Sequence, residues 1–270
     1  MEHKKVTSRE YKVMLRPDRF RGDEARVLKR AGAFWEDFER ILRRVDCSPK
    51  GRLAEIEDRR RISFLDTASK RLNRDDYIFR ERQDLSSGQR EVTLKFRHPD
   101  RHVTQDRDLR ARTSNRARSK FEEDIKAPFT SLYSFSTTVL IGGNRRFESL
   151  SDVGRLFPHV LASLPGARGD ERLVVVNGFN ARELVIVGGK LRLRKGQQGV
   201  ADCALIVWYK HGRRSDKPVA VEFSYRYGDK NEEYNGETSL RAFDVFDGLQ
   251  NRLKRWVHTR SRTKTALVYG

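Results

Sequence analysis

The chain has 270 residues, with 57 Lys and Arg against 38 Asp and Glu, a formal net charge of +19, and 37% apolar against 35% charged side chains. That length suits one domain with insertions, or one domain plus a small appendage. The cationic excess selects polyanions as partners: nucleotides, polyphosphate, RNA or an acidic membrane face.

The charged opening MEHKKVTSREYK has no apolar signal core. No stretch approaches the roughly 20 apolar residues of a membrane span. Cys47 and Cys203 form no CxxC or zinc pattern and read as reduced thiols. A soluble, cytoplasmic protein is the expectation.

Residues 8–16 alternate and predict a strand, and Pro17 and Gly22 punctuate the turn after it. Over 23–46, Val27, Leu28, Phe34, Trp35, Phe38, Ile41 and Leu42 recur at helical spacing and predict an amphipathic helix ended by CSPKG. Strands are predicted at 59–66, 77–84 and 90–98, with LSSGQ as the hairpin loop between the last two. Residues 99–118 are polar and Arg-rich without apolar period, and read as a mobile basic loop. SKFEEDIK at 119–126 is a strand, and 127–170 reads as a helical insertion with its helix near 151–164.

Further strands are expected at 173–179, 182–188, 190–195, 203–210 and 219–227, with turns at VGG and at HGRRSDKP. A last amphipathic helix spans 237–257, with Leu240, Phe243, Phe246, Leu249, Leu253 and Trp256 on one side. A loosely held basic tail follows, so the division is one domain over 1–260 and a tail over 261–270. Many short antiparallel strands predict an α+β fold: an antiparallel β-barrel or strongly curved sheet with flanking helices.

The strand patterns carry the chemistry. Arg80 and Arg82 share a face opposite Tyr77 and Phe79. Lys95 and Arg97 oppose Val92, Leu94 and Phe96, and Arg192 and Arg194 oppose Leu191 and Leu193. Glu10 lies with Lys12, Lys120 with Glu122 and Asp124, and Glu222 with Ser224 and Arg226. For any single strand this alternation ordinarily means a half-solvated sheet. Same-sign doublets that recur from strand to strand are unusual on a solvated face, because adjacent like charges destabilise a sheet. A sheet closed with these faces inward makes a tunnel with basic walls and an acidic patch. Such walls suit phosphate oxygens, and carboxylates beside phosphates suit Mg²⁺ or Mn²⁺.

The ordered set Phe64-Leu65-Asp66-Thr67, Leu72, Arg80-Glu81-Arg82 and Thr93-Leu94-Lys95 resembles the CYTH domain of the triphosphate tunnel metalloenzymes. The family's first-strand Glu-x-Glu-x-Lys reads Ser8-Arg9-Glu10-Tyr11-Lys12 here. Its acidic strand reads Lys120-Phe121-Glu122-Glu123-Asp124, and its late Glu-x-Glu reads Glu222-Phe223-Ser224. The resemblance implies an eight-stranded antiparallel tunnel over one domain. It also implies action on a triphosphate: thiamine triphosphate, tripolyphosphate, ATP, an RNA 5′-end, or ATP cyclised to cyclic AMP.

By resemblance Arg80, Arg82, Lys95, Arg97, Arg192 and Arg194 hold phosphates. Glu10, Glu122, Asp124 and Glu222 hold Mg²⁺ or Mn²⁺, and Glu10, Lys12 and Glu222 are catalytic. The function so implied is metal-dependent hydrolysis of a triphosphate or polyphosphate. Ser8 and Ser224 stand where the family has carboxylates, which leaves an alternative equally open: a catalytically degenerate module that binds polyphosphate or RNA. Nucleic acid is thus a second candidate partner.

Other residues read as structural. Asp66 before Thr67 is a turn or cap. Trp35, Trp208 and Trp256 pack. The six histidines, His3, His98, His102, His159, His211 and His258, show no ligand spacing, and GGN at 142–144 is not a P-loop.

Overall fold

Most apolar residues of the strands point outward and many of their charges point inward, so most of the hydrophobic core lies outside the barrel; Phe64, Ile78, Ile206 and Trp208 instead line the bore. The computed structural model describes residues 4–113, 116–194, 199–210, 216–258 and 263–270. His3, Lys195, residues 211–215 of the expected turn (His211 among them) and the first part of the expected tail lie outside the described residues.

The chain opens with β1 (Ser8–Leu15), a 3-10 turn (Pro17–Phe20) and α1 (Glu24–Arg44). Next come β2 (Ser48–Thr67), the one-turn α2 (Arg71–Arg74), β3 (Tyr77–Asp84), β4 (Arg90–His98) and α3 (Arg101–Gln105). β5 (Ala117–Lys126) and β6 (Thr130–Ile141) form a hairpin, followed by α4 (Leu150–Leu156). The second half adds β7 (Leu173–Arg192), β8 (Val200–Lys210), β9 (Ala220–Gly228), α5 (Gly236–Arg252) and α6 (Lys264–Tyr269).

The strands close into a ring in the order β1-β5-β6-β4-β3-β2-β7-β8-β9, with β9 returning to β1. Every junction is antiparallel except β1–β5, where Glu10 lies beside Asp124 and Lys12 beside Lys126. The expected tunnel is present, closed by nine strands rather than eight.

The extra strand is β6, within the segment expected as a helical insertion. Its outward Tyr133, Phe135, Val139 and Ile141 join the core, while its inward Ser134, Ser136 and Thr138 carry no charge. An uncharged face gave the alternation nothing to reveal it. The helix within that segment is also shorter than the expected 151–164.

β2 and β7 are each twenty residues long, where one short and three short strands were expected. The Gly188-Gly189 pair, read as a turn, is a bulge inside β7 between Ile186 and Lys190. Gly188 has φ +103°, and a Cβ there would lie 2.6 Å from the Arg52 carbonyl oxygen. A side chain at this crossing would force β2 and β7 apart.

Asp23 caps α1 by accepting from the Arg26 N–H at 2.9 Å. The helix then lays Phe34 and Phe38 onto Phe223 of β9 and Phe34 onto Trp256, with Trp35 edge-on to Phe38. Burying each such ring contributes about 1.5–3 kcal/mol. α5 packs beside α1 through Phe246 and Leu249, and Leu253 and Trp256, just after the helix, join the same core. Leu240 and Phe243, expected on that buried side, are instead 61% and 41% exposed. On the opposite wall Phe79 meets Phe147 and Phe157.

The segment expected as a loose tail ends in α6. This helix buries Val268 and Tyr269 against Phe64 and Trp208 at one end of the bore. Lys70 Nζ donates to the Tyr269 carbonyl, and Asn177 Nδ2 donates to that of Val268 at 2.8 Å. No helix among the described residues is long and apolar enough to cross a membrane.

Candidate functional site: a cationic tunnel

Period-two geometry brings alternate residues of eight of the described strands into one bore. The cavity has a volume of about 360 Å³. β3 supplies Arg80 and Arg82, β4 Thr93, Lys95 and Arg97, β5 Glu122 and Lys126, β1 Glu10 and Lys12, and β9 Glu222 and Arg226. β2 adds Arg60, β8 adds Trp208, and α6 adds Lys264. These twelve charged side chains converge on one space, most of them by inward alternation.

The acidic centre lies on β5 and β1. Asp124 is fully buried. It accepts from Lys12 Nζ at 2.7 Å, Arg97 Nη2 at 2.9 Å and Ser134 Oγ at 2.7 Å, with Lys95 Nζ 3.5 Å away. Burial pushes its carboxyl up, but Lys12, Lys95 and Arg97 outweigh that and hold it well below the usual range. Lys12 also lies 3.0 Å from Glu10. Burial opposes its charge, yet Asp124, Glu10 and Glu222 raise its pKa.

A second buried carboxylate, Glu183 of β7, was missed from sequence because it sits in RELVIVG, where its neighbours are apolar. It accepts from Trp208 Nε1 at 2.8 Å and lies 3.2 Å from Arg82 Nε and 3.7 Å from Arg60. Burial raises its pKa, but Arg82, Lys264, Trp208 and Arg80 together bring it down to about 2. At the α6 end, Lys264 lies 3.0 Å from Glu222 and 5.3 Å above the Trp208 ring.

Some cations in the bore have no carboxylate partner. Among the described residues Arg80 reaches only Thr93 Oγ1, at 3.5 Å, and burial together with Arg82 pushes its pKa down to about 9. Lys126 forms no ion pair among the described residues, and burial with Arg97 lowers it to about 8. Burial lowers Lys95 to about 8 as well, despite Asp124. The Nε atoms of Arg80, Arg82 and Arg97 are buried without hydrogen-bond partners. A wall of this kind is built to be neutralised by an anion with many oxygens.

The four expected metal ligands do not assemble. Among the described residues, no group of three or more His, Cys, Asp or Glu is arranged to hold a metal ion. Lys12 occupies the point between Glu10 and Asp124. Glu122 accepts from Ser8 Oγ at 3.0 Å and has Lys120 and Arg226 at 3.9 Å. Glu222 is paired with Lys264. As arranged, these carboxylates are paired with protein cations, which a divalent ion would have to displace to bind among them.

Arg192 and Arg194 are not brought to the cavity. They follow the bulge of β7, where β2 and β7 run past the bore. Both are exposed, and Arg194 lies 3.2 Å from Glu237 of α5. Asp66 behaves as a cap, accepting from the N–H groups of Thr67, Leu72 and Asn73. Within the expected loop, Arg107 stacks 4.5 Å from the Phe96 ring and Arg101 pairs with Glu232. Arg118 lies on β5 and lines the bore.

No family model matches the chain, and neither does any curated protein sequence. Among solved structures, the chain is similar to a Hippeastrum protein described as an adenylyl cyclase candidate with a dominant triphosphatase activity. That match has 12% identity, covers 97% of this chain and 95% of the other, and has a TM-score of 0.44. Adenylate cyclase candidates from Bacillus halodurans (11% identity, all of both chains, TM-score 0.41) and Vibrio parahaemolyticus (8%, 99% and 100%, 0.37) are also similar. At these levels the site must be argued from its own geometry. That geometry puts the residues of the CYTH-like motifs, Lys12, Arg80, Arg82, Lys95 and Asp124, around one closed bore.

Proposed function

We propose that the tunnel binds a linear triphosphate or polyphosphate by charge neutralisation, without needing a resident metal. One observation carries this reading. Among the described residues Arg80 and Lys126 are held inside the bore without a carboxylate ion-pair partner, and with Lys95 their pKa values are pushed down by burial. Uncompensated cations in such a place are costly, and phosphate oxygens relieve that cost. Arg80, Arg82, Lys95 and Arg97 would contact the phosphates, with Lys126 and Arg226 added from the facing strands. Isothermal titration of tripolyphosphate into the protein in EDTA tests this. We expect saturable, salt-weakened binding that Arg80→Ala with Lys126→Ala reduces at least tenfold. No heat in EDTA, or equal affinity in the double variant, would overturn it.

The hydrolase reading stands second. It is favoured by the in-register Glu10–Asp124 pair, with Glu222 close enough to raise the pKa of Lys12. It requires Mg²⁺ or Mn²⁺ to displace Lys12 from that centre. Phosphate release from tripolyphosphate, ATP or thiamine triphosphate that depends on metal, and is lost in Arg80→Ala/Lys95→Ala, would assign it.

A further inference from the structure

A second concentration of unpaired cation lies on the outside of the barrel. The 3-10 turn after β1 and the first turns of α1 enclose a groove of about 520 Å³. Arg19 and Arg21 come from the turn side, and Arg26, Lys29 and Arg30 from the helix. Ala33 is the sole apolar residue lining it and Asp18 the sole acid. All five cations are exposed. None has an ion-pair partner among the described residues: Asp18 lines the groove without pairing with any of them, and the other nearby acids are committed elsewhere. Asp23 caps the helix, Glu24 pairs with Arg59 and Arg182, and Asp37 pairs with Arg40 and Arg255.

The groove is fixed by the chain. Gly22, at φ +118°, turns the backbone so that Arg26 folds over it, and a Cβ there would lie 2.7 Å from Arg26 Cδ. Two rows of cation therefore face each other across a concave surface, where field lines concentrate.

We infer that this groove docks the phosphodiester backbone of a nucleic-acid duplex, at a site separate from the tunnel. Four of the five cations are Arg, whose fork matches phosphate oxygens. Arg26 and Arg30 are separated by a rise of about 6 Å, over which a duplex presents roughly three to four phosphate charges. The lining has no aromatic side chain on which a base could stack, so the surface follows backbone and not sequence. Its concavity and single small apolar residue do not suit a membrane face, which is flat and takes up larger apolar side chains.

The test uses the full chain with labelled 20-base-pair RNA and DNA duplexes of arbitrary sequence, titrated at several salt concentrations. With five phosphate contacts, the slope of log affinity against log salt is expected near −4.5, or about a 500-fold loss from 50 to 200 mM. Arg26→Ala/Lys29→Ala/Arg30→Ala should flatten the slope to about −1.8 while leaving melting temperature and tripolyphosphate binding unchanged. Similar affinity for RNA and DNA, or preference for either, supports the site and identifies its source of phosphodiester. The inference is overturned if the triple variant keeps the affinity and slope of the wild type. It is also overturned if Arg80→Ala/Arg82→Ala abolishes duplex binding, which would place the duplex in the tunnel. Binding to phosphatidylserine vesicles or long polyphosphate, with neither duplex bound, overturns it as well.

Discussion

Lys12 and Asp124 meet across the parallel junction of β1 and β5, with Nζ 2.7 Å from Oδ1, and this contact forms the centre of a shared ion-pair cluster in the bore. Asp124 is the anion that Lys12, Arg97 and Lys95 share. Replacing it with Asn keeps the shape, leaves Arg97 and Lys95 without their carboxylate, and leaves Lys12 with Glu10 alone within 4 Å among the described residues. We expect Asp124→Asn to lower stability by about 3–5 kcal/mol. Tripolyphosphate should raise its melting temperature more than that of the wild type. Thermal melts with and without ligand check this; equal ligand shifts in the two proteins would show that Asp124 and phosphate do not serve the same cations.

The lysines of the bore set a pH dependence with a definite sign. Lys95 and Lys126 titrate near 8 in the folded chain, below their ordinary value of 10.5. The unfolded chain therefore holds more protons between these values, and stability should rise with pH across that window. Lys12, whose pKa is raised, begins to lose its contribution only above about 10.4, outside the window. Tripolyphosphate affinity should move the other way, falling as pH rises through 8, because the anion prefers the charged amines. Denaturant melts and titrations from pH 7 to 10 measure both trends, and Lys95→Met/Lys126→Met should flatten each.

The inward set was largely legible in the sequence because a charged face alternating with an apolar one survives in the residue order. Arg80, Arg82, Lys95, Arg97, Glu10, Lys12, Glu122 and Glu222 all line the bore as the alternation required. β6 was not legible, since serine and threonine on its inner face gave no charge signal. Arg192 and Arg194 have the right alternation but lie beyond the bulge at Gly188-Gly189, and alternation does not tell where a strand leaves a barrel. Arg60 was hidden in the run Arg59-Arg60-Arg61, whose neighbours on both faces are also charged. Glu183 and Lys264 gain their roles from contacts across the fold, with Arg82 and with Glu222, that no local pattern encodes.

α6 closes one end of the tunnel, so weakening its seat should be visible in both stability and access. Tyr269 packs edge-on against Phe64 with ring centroids 6.4 Å apart, and only 7% of it is exposed. Tyr269→Ala is expected to cost about 3–5 kcal/mol. Loosening the helix also frees Lys264 from its place above the Trp208 ring. Trp208 fluorescence should then be quenched by iodide, which the wild type resists. Unchanged quenching in a folded Tyr269→Ala protein would show that α6 does not cover this end.

Arg80 allows a test in which stability and binding move in opposite directions. A residue kept for packing loses stability when replaced. A buried cation kept for a ligand is a burden on the empty protein. Arg80→Met retains the side chain's volume and apolar stem while removing a charge whose pKa burial and Arg82 already depress. It also ends the repulsion with Arg82. We expect the empty variant to be about 1 kcal/mol more stable and to bind tripolyphosphate 10- to 100-fold more weakly, a loss of about 1.4–2.7 kcal/mol. Urea unfolding and calorimetric titration of the same preparation give both quantities. Loss of stability together with unchanged affinity would reassign Arg80 to the structure of the barrel, because only a ligand-directed cation can weaken binding on removal while strengthening the fold that carried it.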